Sequence, residues 1–350
     1  MDRTPDFLKA LADLSARLGA EIALVQAAGG NTSLKTADTV WIKASGTWLA
    51  EALTRPIFVP LDRQALAVAV NGPPGDIDAG VERARRGEGG LLPSIETSLH
   101  ALMPHRVVVH VHGVNTLAHA MLRDGRERAA ARLAGLPFTW VPYIRPGAPL
   151  TVLVREALAR APADILILEN HGPVVGADTE AAAERLMREV EARLALPPRP
   201  VPTPDLAQLA GLAAACGLQL PRGAEAHAAA LDPHALALAT RGAFYPDHVV
   251  FLGRSPQHAV EAADLSDWLG ARRSRGEADP SFVLVPGLGV LARRDLSDGG
   301  HELLRCLGLV LPRVPAEAAA KTLTAADEND LLDWDAEKYR QSLNEGAGRT

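Results

Sequence analysis

The sequence predicts an α/β protein. Across residues 22–196, short apolar strands alternate with helical segments; a Pro-rich stretch then interrupts the chain; and a second strand, Gly turn, strand, helix layout recurs beyond it. A length of 350 residues is long for one compact core, so a boundary is expected. It falls at Pro197-Pro198-Arg199-Pro200-Val201-Pro202-Thr203-Pro204, which cannot continue a helix and favours stiff extended backbone. The predicted domains are residues 1–198 and 205–350.

The chain opens on a predicted amphipathic helix, with Thr4 and Pro5 at its start and Phe7, Leu8, Leu11, Leu14 and Leu18 on one face. Strands follow at TVWIKAS, IFVPL, RVVVHVH, FTWVPYI and DILILEN, separated by turns and Ala-rich helices. A helix after Asp178 runs to the proline stretch. Beyond it the pattern predicts helices over 206–218 and 233–240, strands at HVVFLG and SFVLVPGLGVLA, and an acidic tail. Over 325–339 that tail carries Leu331, Leu332, Trp334 and Tyr339 among acids, a face suited to docking on a neighbour or on its own C-terminal region. ILILENHGPVVGADTEAAAERLMREVE and FVLVPGLGVLARRDLSDGGHELLRCLG share one layout and read as a degenerate repeat, with Leu288 standing where the first copy has His171.

Composition narrows the functional classes. With 47% apolar and 22% charged residues and no run near ~20 apolar residues, nothing predicts a membrane span. The formal charge of −6 and the lack of a basic stripe argue against nucleic acid as a partner. The N-terminus lacks the apolar core and cleavage site of a signal peptide, so a cytoplasmic location is expected. Cys216 and Cys306 are too few for a disulfide framework and form no Cys-x-x-Cys pair, so any metal must be held by His and carboxylates.

The strongest local signal is Arg106-Val-Val-Val-His110-Val-His112-Gly113. On a strand, side chains two apart face the same way, so both imidazoles converge, as metal ligands must; hydrogen-bonded histidines at a sheet rim satisfy the segment equally well. His171, in Glu169-Asn170-His171-Gly172, is displayed at a strand end by a Gly turn. Three His with an open position is the pattern of catalytic zinc, with other divalent transition metals also suited.

Upstream, Ser94 reads as a helix cap with Glu96 in the first turn; Glu96 suits either general acid/base work or simple helix-dipole stabilisation. His100 shares its helix face as a supporting partner or a packed residue. The turns Ala28-Gly29-Gly30-Asn31-Thr32-Ser33 and Lys43-Ala44-Ser45-Gly46-Thr47 offer N–H and hydroxyl donors to an anion, although such turns also serve only to reverse the chain.

Taken together and in this order, these segments over roughly the first 200 residues resemble the class II aldolase and adducin family. The resemblance implies a three-layer α/β/α domain with a mixed sheet, zinc on His110, His112 and His171, and Glu96 as acid/base. It places Asn31, Ser45, Gly46 and Ser94 at a substrate phosphate, with Lys43 adding charge, and implies a cyclic homotetramer with sites between subunits. Ile95 stands where small sugar-phosphate aldolases often have Ser. The Glu96-to-His110 spacing, Tyr245-Pro246-Asp247-His248, Val285-Pro286-Gly287-Leu288-Gly289 and Asp330-Leu331-Leu332-Asp333-Trp334 are most similar to the aldolase portion of rhamnulose-phosphate aldolase/alcohol dehydrogenase fusions. The chain stops where a dehydrogenase part would begin, and no Gly-x-Gly-x-x-Gly fingerprint points to a nicotinamide cofactor.

The expected reaction is retro-aldol cleavage of a ketose, ketose 1-phosphates foremost, through a metal-stabilised enediolate, with Glu96 moving the proton from a raised pKa. Tyr143 and Tyr245 are candidates for the second acid. Phosphosugar 4-epimerases and 3-oxo-acid phosphate decarboxylases run on the same zinc chemistry, and an adducin-like scaffold is the non-enzymatic alternative.

Overall fold

Strands β1 (Asn31–Lys35), β2 (Thr39–Lys43), β3 (Phe58–Asp62), β4 (Val107–His110), β5 (Phe138–Val141), β6 (Ile165–Leu168) and β7 (Gly172–Ala177) form one sheet in the order β3-β2-β1-β4-β7-β6-β5. Only β5 and β6 run parallel, so the sheet is mixed. These coordinates come from a computed structural model, which describes residues 5–87, 90–255 and 257–346, with side chains through residue 343.

Strand alternation sorts the apolar residues into two faces. Val107, Val109, Ile165, Ile167 and Val175 pack against the helices Lys9–Gly19 and Glu180–Arg193 through Leu11, Leu14, Leu18, Met187 and Val190. Val108, Leu166, Leu168 and Val174 turn the other way, onto Leu99 of the helix Thr97–Leu102 and Leu150 and Val154 of the helix Ala148–Arg160. The result is the α/β/α sandwich. Every residue of the central strand β4 is buried, and each of its valines contributes ~1.5–3 kcal/mol of burial, so His110 sits on the best-anchored strand.

The N-terminal helix begins after a 3-10 turn at Asp6–Leu8, and Leu8, Leu11, Leu14 and Leu18 are buried as expected. Phe7 is instead exposed, meeting Trp41 edge-on, and Thr4 lies outside the described residues. Thr179 caps the helix Glu180–Arg193 by accepting from Ala182 N. Residues 195–205, which include the proline stretch, form no helix or strand.

Beyond it, Asp205 caps the helix Leu206–Cys216, and Pro233–Ala239 is helical as predicted. HVVFLG is not a strand. It lies in the helix Pro246–Leu252, where extended Tyr245 precedes Pro246 in the first turn and all seven residues are buried. A run buried on every side carries neither the strand nor the helix period, and Pro at a helix start was the signal that should have decided it.

SFVLVPGLGVLA does form a hairpin of β9 (Phe282–Val285) and β10 (Gly289–Arg293), joined by β8 (Leu218–Gln219) in the order β8-β10-β9. Its turn superposes in kind on the β6–β7 turn. Leu168 pairs Gly172 and Val285 pairs Gly289; His171 N donates to Leu168 O at 3.1 Å and Leu288 N to Val285 O at 3.0 Å; Asn170 (φ +54°) and Gly287 (φ +71°) both occupy the left-handed region. The degenerate repeat is thus visible in the backbone, with Leu288 in the His171 place.

The two regions share an apolar cluster in which Ala27, Ala28, Val114 and Leu117 meet Phe244, Tyr245, Leu303 and Leu307. The tail docks on its own chain as the helices Ala325–Leu332 and Asp335–Gly346, with Leu331 buried beside Val249 and Leu323. Among the described residues no helix is long and apolar enough to cross a membrane.

Candidate metal centre

The site forms where β4 ends and β7 begins. His110 closes β4, opposite Asn31 on β1 and Val174 on β7, and the chain continues through Val111 to His112. The Pro173 carbonyl accepts from both Val111 N (3.3 Å) and His110 Nδ1 (3.0 Å), leaving His110 Nε2 to face the site. A Cβ on Gly172 would lie 2.4 Å from the Val111 carbonyl oxygen, so only glycine lets the two chain segments approach this closely.

His171 is set by the turn before it. Asn170 holds a left-handed backbone and its Nδ2 donates to the carbonyls of Phe244 (2.8 Å) and Lys321 (3.1 Å), both from the C-terminal region. The rings of His110, His112 and His171 lie 4.9–5.0 Å apart, and one nitrogen from each falls within 4.8 Å of the others.

These residues fit a metal ion. His110 Nε2 and Glu96 Oε1 are buried without a hydrogen-bond partner, the condition expected of polar atoms aimed at a shared cation. Glu96 Oε2 lies 3.4 Å from His110 Nε2 and its Oε1 3.7 Å from His171 Nε2. Burial pulls His110 below the ordinary imidazole range and His171 to about 3, favouring the neutral form that has a lone pair to offer.

Glu96 departs from the raised pKa expected of it. Burial pushes it upward, but positive charge at the facing imidazole cluster, together with the Asn31 amide (Nδ2 to Oε2, 2.8 Å), outweighs this and holds it at about 2. The helix starts two residues later than a cap at Ser94 implies, at Thr97, leaving Glu96 at the N-cap position. Ser94 is not the helix cap; its Oγ accepts from Glu96 N at 3.2 Å in the turn that precedes the helix.

The residues expected around an anion come together in one pocket. A bridge between Ala44 and Pro93, flanked by Ser45 N to Leu92 O (2.8 Å) and Ser94 N to Lys43 O (3.1 Å), ties the Ser45-Gly46 turn to Ser94. Asn31 Nδ2 also donates to Ser94 Oγ (3.1 Å). Asn31, Lys43, Ser45, Gly46 and Ser94 therefore line a common pocket with Glu96, His112 and His171. Lys43 is fully buried, donates to Ala28 O at 2.8 Å, and is drawn down to about 7 by desolvation.

His100 stands behind this shell, its Nδ1 sharing a 2.7 Å hydrogen bond with Ser33 Oγ. Neither tyrosine lines the pocket. Tyr245 is buried in the shared core and cannot be presented to another subunit, while Tyr143 packs beside Ala243, Val249 and Leu331.

Asp247 and Arg340 were passed over in the sequence. Asp247 Oδ2 sits 3.1 Å from His112 Nδ1, and Arg340 grips Asp247 through two bonds of 2.6 and 2.8 Å. The only sequence signal was the position of Asp247 beside His248 in a quoted segment; nothing in the spacing linked it to Arg340.

Residues 9–196 match the family described as Class II Aldolase and Adducin N-terminal domain. The chain belongs to this family. It is 30% identical over 175 residues to an uncharacterized oxidoreductase, YuxG, of Bacillus subtilis, a match covering 46% of this chain and 25% of that protein. Among solved structures, the chain is similar to the N-terminal class II aldolase domain of a conserved Thermoplasma acidophilum protein (24% identity, 55% of this chain and 94% of that one, TM-score 0.47). L-fuculose-1-phosphate aldolase from Thermus thermophilus is similar at 19% identity over 53% of this chain and 89% of that one, with a TM-score of 0.37.

Proposed function

We propose that the chain is a zinc-dependent class II aldolase that cleaves a ketose, with ketose 1-phosphates as the substrate class and Glu96 as the acid/base. The observation that carries this is the placement of a buried carboxylate, Glu96, beside two of three convergent imidazoles, with one oxygen unpartnered. Three imidazole nitrogens suit zinc and leave a coordination position open for substrate.

Zinc held by His110, His112 and His171 would supply the Lewis acidity that stabilises the enediolate charge left when the carbon–carbon bond breaks. Glu96, ionised and fixed by the Asn31 amide, accepts the proton at that carbon or returns it. Ser45, Gly46 and Ser94 offer donors to the far end of the substrate, and Lys43, near neutrality, takes up a proton as a phosphate dianion arrives. By the family resemblance, the reading extends to a cytoplasmic homotetramer.

The oxidoreductase name of the Bacillus relative, borne by a protein of which the match spans 25%, is consistent with kinship to the aldolase portion of aldolase–dehydrogenase fusions. Incubating the zinc-loaded protein with a panel of ketoses and ketose 1-phosphates tests the reading. Dihydroxyacetone phosphate plus an aldehyde supports it, and an epimer or carbon dioxide reassigns the reaction. Glu96→Gln should keep its metal while turnover falls ~10²–10⁴-fold.

A further inference from the structure

Resting on the metal reading above, we propose that Asp247 and Arg340 are positioning residues of the metal centre, so that the region beyond residue 205 completes a site whose ligands all come from the first domain. A metal-bound imidazole needs its second ring nitrogen held, because that bond fixes both tautomer and ring direction. For His110 the Pro173 carbonyl does this. For His112 the partner is a carboxylate from another part of the chain, Asp247, in the first turn of the helix Pro246–Leu252.

The pair is built in. Asp247 is 2% exposed and held well below the usual carboxylate range, burial being outweighed by Arg340 and His112. A Cβ on Gly29 would lie 2.8 Å from His112 Nδ1 and 3.0 Å from Asp247 Oδ2, so glycine there leaves the space in which the two side chains meet. Arg340, on the last helix, engages both Asp247 oxygens in parallel, and such a fork fixes the carboxylate plane as well as its charge. Glu337, one turn before it, also faces Arg340, at 3.4 Å. Arg340 lines the substrate pocket together with Asp247 and Glu337, and its two parallel bonds hold the Asp247 carboxylate at His112. His112 accordingly keeps Nδ1–H toward Asp247 and Nε2 toward the other two histidines.

The test is zinc affinity of the full chain, measured by chelator competition, alongside thermal stability. Asp247→Asn should weaken zinc binding ~10–100-fold, and Arg340→Met should shift it the same way by less. Arg305→Met, which breaks the Arg305–Glu225 pair away from the site, should lower stability and leave zinc affinity unchanged. In zinc-loaded protein the ¹⁵N spectrum of His112 should show a protonated Nδ1 in the parent, with its shift altered in Asp247→Asn. Zinc affinity within twofold of the parent in a folded Asp247→Asn protein overturns the inference and leaves the metal reading standing. A parent that binds no zinc overturns both.

Discussion

Replacing Asn170 tests how the turn that presents His171 is held. Asn170 combines a left-handed backbone with two side-chain bonds to buried carbonyls of the C-terminal region. Ala in that conformation costs ~1–2 kcal/mol, and each lost bond costs ~1 kcal/mol, so Asn170→Ala should destabilise by about 3–4 kcal/mol. Gly removes the backbone strain but adds ~0.5–1 kcal/mol of chain entropy to be lost on folding, so Asn170→Gly should be less damaging than Ala by roughly 0.5–1 kcal/mol. At ~2.1 cal/mol/K per residue over 350 residues, the Ala variant should melt about 4–5 °C below the parent by calorimetry. Both variants should also bind zinc more weakly, since His171 follows directly. An Ala variant as stable as the parent, or more stable than the Gly variant, refutes the reasoning.

Three further outcomes follow from buried groups. His119 is buried with Nε2 donating to Leu194 O, and desolvation lowers it to about 4. Because this lies below the unfolded value of 6.5, the unfolded chain takes up the proton first; stability is full above about pH 6.5 and falls toward pH 4, by on the order of 2–3 kcal/mol. Urea midpoints across that range should show the loss in the parent and a smaller one in His119→Gln. Glu191 accepts from Asn115 N and Thr116 N (both 3.2 Å) at the start of the helix that follows His112. Glu191→Ala should lower the urea-unfolding free energy by ~2–3 kcal/mol as those amides lose their partner. Cys306 is fully buried and its thiol is pushed up to about 12, while burial also raises Cys216. A thiol reagent at pH 8 should therefore label native protein slowly and denatured protein at once.

The three convergent histidines were legible because they lie on short-range patterns. The β-branched run ending in His110-Val-His112 announces its strand, and Gly172 after His171 announces its turn. The turns carrying Asn31 and Ser45 read as anion donors by themselves, but only the family resemblance put them in one pocket with Ser94, since a Gly-rich turn does not reveal which turn it will face. Asp247 was hidden twice: the apolar run around it read as a strand when it is a buried helix, and its partners His112 and Arg340 lie 135 and 93 residues away. Contacts at such separations follow from the packing of whole helices, which leaves no period in the sequence. Neither Tyr143 nor Tyr245 lines this chain's own pocket, and a tyrosine suited to proton transfer and one suited to a core, as Tyr245 is, look alike until burial is known.

The central claim is that His110, His112 and His171 hold one catalytic metal per chain. Elemental analysis of the purified protein, beside the variant with all three changed to Ala, tests it most directly. One equivalent of zinc per chain in the parent and none in the folded triple variant is the expected result. A parent without bound transition metal after zinc loading, or a triple variant that retains its full equivalent, would contradict it.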